Sequence, residues 1–409
     1  MGKGKRAETG MPIHEKARRA VGAVWRFVQK HKVIFIPAGA GVFVLLLTLA
    51  LVLALGGQEP PPEPEETPPP PTVLPSPSPS PSPPPSPEPS PEPEPELYGA
   101  NPLTGLPLED EASAGNRPVA IMHNNSYNPG GRQHALPMYG VGQADVIYEV
   151  MAEGNITRML AFYHDLSAIP KIGAVRSTRT YYVELALAYD AILVHAGGSP
   201  QAVNRDIPNW GVSNIDSMRQ SETYFWRDRA DRPNVSSEHT LFTSGERLME
   251  LVGRISRLTV PEDFDNGLCF AAETALSGGA AASVKAPHSR TKPTWFTYNE
   301  DDGLYYVEQY GGAFVDGGTG EQVSVTNVLI IQTSIGLIPG DSAGRLAVDL
   351  QSGGAGYYAA GGSYLPIRWA RESHDAPFVY TLEDGSPLEM RPGKTFVCVI
   401  PKDQTPEFE

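Results

Sequence analysis

"KIGAVRSTRTYYVELALAYDAILVHAGGSPQA", residues 171–202, decides how the chain folds. Its first residues, 172–175, are short and apolar. Residues 177–190 have helical spacing, with Tyr182, Leu185, Ala186 and Tyr189 on one face. Residues 191–196, mostly apolar, have the composition of a buried strand, and a glycine turn then leads to a second helix start. The stretch therefore predicts strand, helix, strand, turn, helix. If its two strands pair in parallel, the crossover brings both helix starts to one edge of the sheet.

Each helix start leaves backbone N–H groups unpaired and carries a partial positive charge. Ser177 and Ser199 stand at N-cap positions, with Pro200 in the favoured first turn. Gly197 and Gly198 let the main chain pass close to whatever lies beside it. Arg176 and Arg179 flank the first start, where the helix dipole disfavours cations by a few tenths of a kcal/mol, roughly. Something negative should compensate. It is either an external phosphate or carboxylate, or an internal acid among Asp145, Glu149 and Glu153 of the preceding strand. The residues leave both open.

Outward from this stretch, the rest of 98–270 alternates strands and helices. Strands are expected at 117–125, 144–154 and 158–165, and an amphipathic helix at 246–255. The small-residue run 271–293 reads as a connection. Beyond it, 294–409 is a mostly antiparallel β part that opens with a hairpin around Asp301, Asp302 and Gly303. The fold class is α+β: a layered sheet/helix N-terminal domain with a βαβ unit, then a β-rich C-terminal domain.

Three segments precede these domains. Residues 1–32 carry nine Lys/Arg against Glu8 and Glu15. Residues 33–55 hold no charged side chain and are long enough to span a hydrocarbon core of ~30 Å. The cationic flank places the N-terminus in the cytoplasm and residues 56–409 outside. A cleaved signal peptide would have a shorter apolar run. Residues 56–97 contain about half of the 41 prolines, interleaved with Ser and Glu, and read as an extended stalk. The expectation is a single-pass membrane protein held through residues 33–55.

Residues 98–409 hold 23 Lys/Arg and 37 Asp/Glu, a balance that repels nucleic acid. Any anion must therefore be held by local arginines. His123, His134 and His164 lack metal-ligand spacing, so no metal and no cofactor is expected. Cys269 and Cys398 are the only cysteines; they could pair outside the membrane, yet Cys398 alternates with Phe396 and Ile400 as a buried strand residue would. His195, one residue from the glycines, could serve as base to Ser177 or Ser199, although nothing resembles a nucleophile elbow. His239 follows Arg227, Arg229 and Arg232 and could join the same cleft.

Together with "NPLTGLP" (101–107), "ADVIYEVMAEGNITRMLAFYHD" (144–165), "EHTLFTSGERL" (238–248) and "PGKTFVCVIP" (392–401), the opening stretch resembles the "YerB-like putative lipoprotein" family, over roughly 100–250 and 290–402. The resemblance implies an extracytoplasmic bacterial envelope protein with both family domains and no settled activity. Its R-S-x-R and H-A-G-G-S blocks fall on Arg176, Ser177, Arg179 and His195 to Ser199. Two departures stand out. Family members often begin with a lipidated cysteine, which this chain replaces with an apolar run and a stalk. A Pro-His-Asn pattern appears here as Glu238, His239 and Thr240.

The leading expectation is a non-enzymatic envelope protein. It binds an anionic group of a wall polymer or partner protein through Arg176, Ser177, Arg179, His195, Gly197, Gly198, Ser199 and His239. The alternatives are a hydrolase or transferase acting on envelope glycan or peptide, and a protein–protein adaptor contacting through Tyr305, Tyr306, Tyr310, Tyr357 and Tyr358.

Overall fold

The strands predicted at 117–125, 144–154 and 158–165 form, as Val119–Asn125, Val146–Met151 and Thr157–Tyr163, the middle of one large sheet. The structure is a computed structural model that describes residues 99–409 apart from 109, 129–130, 273–275 and 277. The basic tail, the apolar run and the proline-rich segment lie outside the described residues. Among the described residues no helix is long and apolar enough to cross a membrane.

The large sheet has eleven strands. Its order begins Gly279–Ala280, Ser363–Ala370, Gly354–Ala360, Asn327–Thr333 and Thr395–Pro401. It continues through Val146–Met151, Thr157–Tyr163, Val119–Asn125, Ile192–His195 and Asn214–Asp216, and Val379–Thr381 pairs with Ser363–Ala370. A six-stranded sheet built on Ser283–Ser289, Lys292–Asn299 and Leu304–Gln309 covers part of one face. The helix Thr180–Ala188 and the helical turns at 200–209 cover the other. Side chains alternate between these layers. Ile121, Ile147 and Ala161 face the second sheet, while Ala120, Met122, Tyr148 and Leu160 face the helices. Covered on both faces, these strands are wholly buried.

Thr395–Pro401 binds the two halves of the chain. It pairs in parallel with Val146–Met151 on one side and with Asn327–Thr333 on the other. The run 271–293 marks no break in this sheet. Rather than a plain connection, it contains the strand Ser283–Ser289, in which Val284, Ala286, Pro287 and His288 are buried.

The crossover differs from expectation by one element. Ile172–Gly173 leaves the large sheet and pairs antiparallel with Leu241–Thr243. Ile192–His195 takes parallel partners in Val119–Asn125 and Asn214–Asp216. The βαβ unit is therefore 192–195, the helical turns to Asn209, and 214–216. The two helix starts still converge, because Thr178 and Gly198 form a parallel bridge.

Both cysteines are free, Cys398 buried in its strand and Cys269 exposed. Of the tyrosines offered as an adaptor surface, Tyr306 and Tyr357 are partly exposed, and the others are engaged in the fold. Tyr305 and Tyr358 are fully buried, and Tyr310 donates to the Asn125 carbonyl at 2.7 Å.

Candidate anion site at the carboxyl edge of the central sheet

Strand directions place the site. Val146–Met151 and Val119–Asn125 are both antiparallel to Thr157–Tyr163, so they share a direction. Ile192–His195 and Asn214–Asp216 follow in parallel. The carboxyl ends of four strands thus meet at one edge, the usual place for a ligand in an open α/β sheet. Asn124, Glu153, His195 and Asp216 stand at or just beyond those ends, and Arg158 opens the returning strand beside them.

Three guanidiniums gather here. Arg179 donates from Nε to Glu153 Oε1 and from Nη1 to the Thr178 carbonyl at 2.6 Å. Arg158 donates from Nη1 to the Ser177 carbonyl at 2.8 Å and places Nη2 3.4 Å from Glu153 Oε2. Arg176 pairs, among the described residues, with Glu238 at 3.8 Å, and that carboxylate is 42 % exposed. Nε of both Arg158 and Arg176 is buried without a hydrogen-bond partner. Burial, together with the neighbouring charge of Arg179, draws the Arg158 guanidinium down to about 10. Burial likewise lowers Arg176, with Glu238 opposing it. Burial works against the charge on Glu153, but the Arg179 hydrogen bond and the charges of Arg158 and Arg179 outweigh it and hold this carboxyl below its usual range.

Of the acids weighed in the sequence, Glu153 is the internal partner of Arg179. Asp145 accepts instead from the His164 amide and from Asn101. Glu149 lies in the core, with one oxygen accepting from Lys292 at 2.7 Å and the other from Thr294 at 2.6 Å. Glu149, His288 and Cys398 bring potential metal ligands within 4.8 Å of one another among the described residues, but the Lys292 ammonium already supplies the cation.

The glycine turn cradles an anion of the chain's own. Gly197 N–H donates to Asp216 Oδ1 at 2.8 Å, and Met218 N–H donates to the same oxygen at 3.0 Å. Ala196 N–H goes to the Arg176 carbonyl and Ser199 N–H to the Thr178 carbonyl. This corrects the expectation that Gly197 to Ser199 face an external ligand: an aspartate from the adjacent parallel strand already occupies that position. Ser199 is the N-cap foreseen, with Oγ accepting from Ala202 N–H at 3.2 Å. Ser177 is not a cap, since the first helix starts after Arg179 and Ser177 Oγ donates to the Ala196 carbonyl at 2.8 Å. His195 is scaffold rather than base. Its Nδ1 lies 2.9 Å from the Gly197 carbonyl, its Nε2 lies 3.2 Å from Asn214 Oδ1, and it is 1 % exposed.

The two glycines answer different needs, and two substitutions separate them. A Cβ at Gly198 would stand 2.7 Å from Val203 Cγ1 and 2.9 Å from Thr178 Cγ2. Gly198→Ala should therefore cost about 1–3 kcal/mol through crowding at the bridge. At Gly197 the nearest atom would be 3.6 Å away, but φ is +60°. Gly197→Ala should cost about 1–2 kcal/mol through backbone strain alone, largely relieved in Gly197→Asn. Urea unfolding of the three variants checks both halves.

His239 does belong to this edge. Its Nδ1 lies 2.5 Å from Asn124 Nδ2 and 3.3 Å from Ser126 Oγ, and its Nε2 lies 2.6 Å from Gln133 Oε1. Arg158, Asn124 and Ser126 were not singled out in the sequence. The available signals were an arginine opening an apolar strand, and a polar run, His123 to Ser126, ending another.

Family models described as "Protein of unknown function (DUF3048)" match the chain over residues 103–256 for the N-terminal domain and 283–397 for the C-terminal domain. The chain belongs to the YerB-like family. It is similar to "Putative lipoprotein YerB" of Bacillus subtilis (strain 168), 29 % identical over 304 residues, or 73 % of this chain and 86 % of the relative. The crystal structure of YerB from Bacillus subtilis matches with a TM-score of 0.62 at 27 % identity and covers 75 % of this chain and 99 % of its own. The α+β architecture, with few helices and many strands, is thus the YerB-like fold, and the arginine edge described above lies within the part matched by the N-terminal family model.

Proposed function

We propose that this YerB-like protein is a membrane-anchored extracytoplasmic protein of the cell envelope. Its sheet edge binds an anionic group, a phosphate or carboxylate, of a wall polymer or partner protein. The observation that carries the reading is the pair of buried guanidinium nitrogens, Arg158 Nε and Arg176 Nε, that lack partners. Buried charge is costly unless it is paired and fully hydrogen-bonded. Three guanidiniums here face Glu153 and the half-exposed Glu238, so one positive charge is left over for a ligand. The binding centre moves accordingly from the glycine turn to Arg158 and Arg176. Anchoring rests on the charge-free run 33–55 with its cationic flank.

The test is a thermal melt of the full-length chain in detergent with inorganic phosphate and with pyrophosphate. A hundredfold excess over Kd should stabilise the protein by about 2.7 kcal/mol. Arg158→Gln and Arg176→Gln should each remove most of that gain while still unfolding cooperatively. A parent protein whose melting temperature ignores both anions sinks the reading.

A further inference from the structure

The polar run that ends strand Val119–Asn125 meets His239 at the same edge. Ser126 Oγ lies 3.3 Å from His239 Nδ1, and Asn124 Nδ2 lies 2.5 Å from the same nitrogen. On the far side of the ring, Gln133 Oε1 is 2.6 Å and Glu238 Oε1 is 3.4 Å from Nε2. A carboxylate oxygen can only accept, so Nε2 carries the ring proton and Nδ1 is the acceptor. Asn124 Nδ2 donates to it here, while the Ser126 hydroxyl donates to Asn124 Oδ1 at 3.3 Å, so Nδ1 becomes a base towards Ser126 once Asn124 turns aside. Arg176 Nη2 lies 3.8 Å from the other oxygen of Glu238, which draws the carboxylate towards the imidazole. A nucleophile hydroxyl, a base and a carboxylate orienting that base form one connected series. Neither Ser177 nor Ser199 has such a neighbour, since their hydroxyls bond the backbone.

We propose that Ser126 is a nucleophile activated by His239, acting in acyl transfer from an ester that carries a negative group. Ser126 Oγ attacks the ester carbonyl carbon while its proton passes to His239 Nδ1. The carbon–oxygen bond to the leaving alcohol breaks, and that alcohol takes the proton from Nδ1. Water, deprotonated by the same nitrogen, then releases the acyl group as a carboxylic acid and restores the serine. Arg176 carries a positive charge close to the imidazole through its 3.8 Å contact with Glu238. Ser126 is 5 % exposed, so the side chains of Asn124 and Gln133 must turn aside for the ester to enter. The placement of the ester's negative group on Arg158 rests on the anion reading above. The identity of the nucleophile does not.

The experiment is active-site labelling of the full-length chain in detergent with a fluorophosphonate probe, followed by peptide mapping. Ser126 should form a phosphonyl ester with loss of fluoride. Labelling should vanish in Ser126→Ala and persist in Ser373→Ala, a change in a partly exposed bend. His239→Gln should slow it at least a hundredfold, on the order expected for removing a general base. The parent rate should be level from pH 8 to pH 6 and fall as His239, whose pKa burial and Arg176 pull down to about 4, takes up a proton. As a second readout, the alkylation rate of Ser126→Cys by iodoacetamide should drop when His239→Gln is added. Absence of label on Ser126, or a labelling rate indifferent to His239→Gln, overturns the proposal. Phosphate binding without labelling defeats this inference alone, and labelling without phosphate binding defeats the anion reading alone.

Discussion

Lys292→Met should lower the unfolding free energy by about 3–5 kcal/mol, the range for stripping one partner from a buried ion pair. Lys292 is 2 % exposed and Glu149 is fully buried. Glu149 Oε1 accepts from Lys292 Nζ at 2.7 Å, Asn125 Nδ2 at 3.0 Å and Thr157 Oγ1 at 2.5 Å. Its Oε2 accepts from Thr294 Oγ1 at 2.6 Å and Gln309 Nε2 at 3.0 Å, with His288 Nε2 3.2 Å away. These donors come from both sheets, so one carboxylate clamps the six-stranded sheet to the central one. Without the ammonium, a charge stays buried and uncompensated. Glu149→Gln should be costly for the converse reason, and the double variant should lose less than the sum of the two because neither charge is then left alone. Urea unfolding at pH 7.5 of the four proteins gives the cycle; strict additivity would mean the pair is not coupled. Burial by itself would raise the Glu149 carboxyl, but the charges of Lys292 and His288 outweigh it and hold it well below the usual carboxylate range. Its contribution is thus present above the unfolded carboxyl value and lost as pH falls below it.

Acid should weaken the fold before the carboxylates titrate. His123 is fully buried with Nε2 3.1 Å from the Tyr163 hydroxyl, and burial pushes its pKa from 6.5 down to about 4. Between those values the unfolded chain binds a proton that the folded chain refuses, so stability rises with pH and falls on acidification. The loss begins near pH 6.5, is complete near pH 4, and amounts to on the order of 3 kcal/mol for this one histidine. Burial lowers His239 in the same direction. Urea midpoints at pH 7.5, 5.5 and 4.5 should decrease in that order. His123→Gln, which cannot take up the proton, should flatten the slope, and an unchanged slope would assign the acid sensitivity elsewhere.

How much of this was legible follows from the range of each signal. Apolar period-2 alternation placed Val146–Met151 and its neighbours within a few residues, and 3.6-residue spacing placed the helix Thr180–Ala188. The hairpin about Gly303, with φ +74°, and the cap at Ser199 were likewise visible because a turn or cap is written within four or five residues. The arginine edge was half visible. Arg176 and Arg179 stand out beside a helix start, whereas Arg158 is only the second residue of a strand until Thr157–Tyr163 is paired between its two neighbours. Asn124 and Ser126 acquire a role only when His239, more than a hundred residues away, folds against them.

The sequence by itself determined most of the elements and the tight turn at Gly197 and Gly198, since each depends on the spacing of residues close in the chain. Only the tertiary structure decided that Thr395–Pro401 sits between Val146–Met151 and Asn327–Thr333, that Asp216 fills the glycine turn, and that Lys292 answers Glu149 from 143 residues away. Those pairings join groups whose chemistry is generic, an apolar strand, a carboxylate, an ammonium. What selects among many equivalent partners is the packing of the whole chain, which leaves each buried charge one place where its hydrogen bonds can be made.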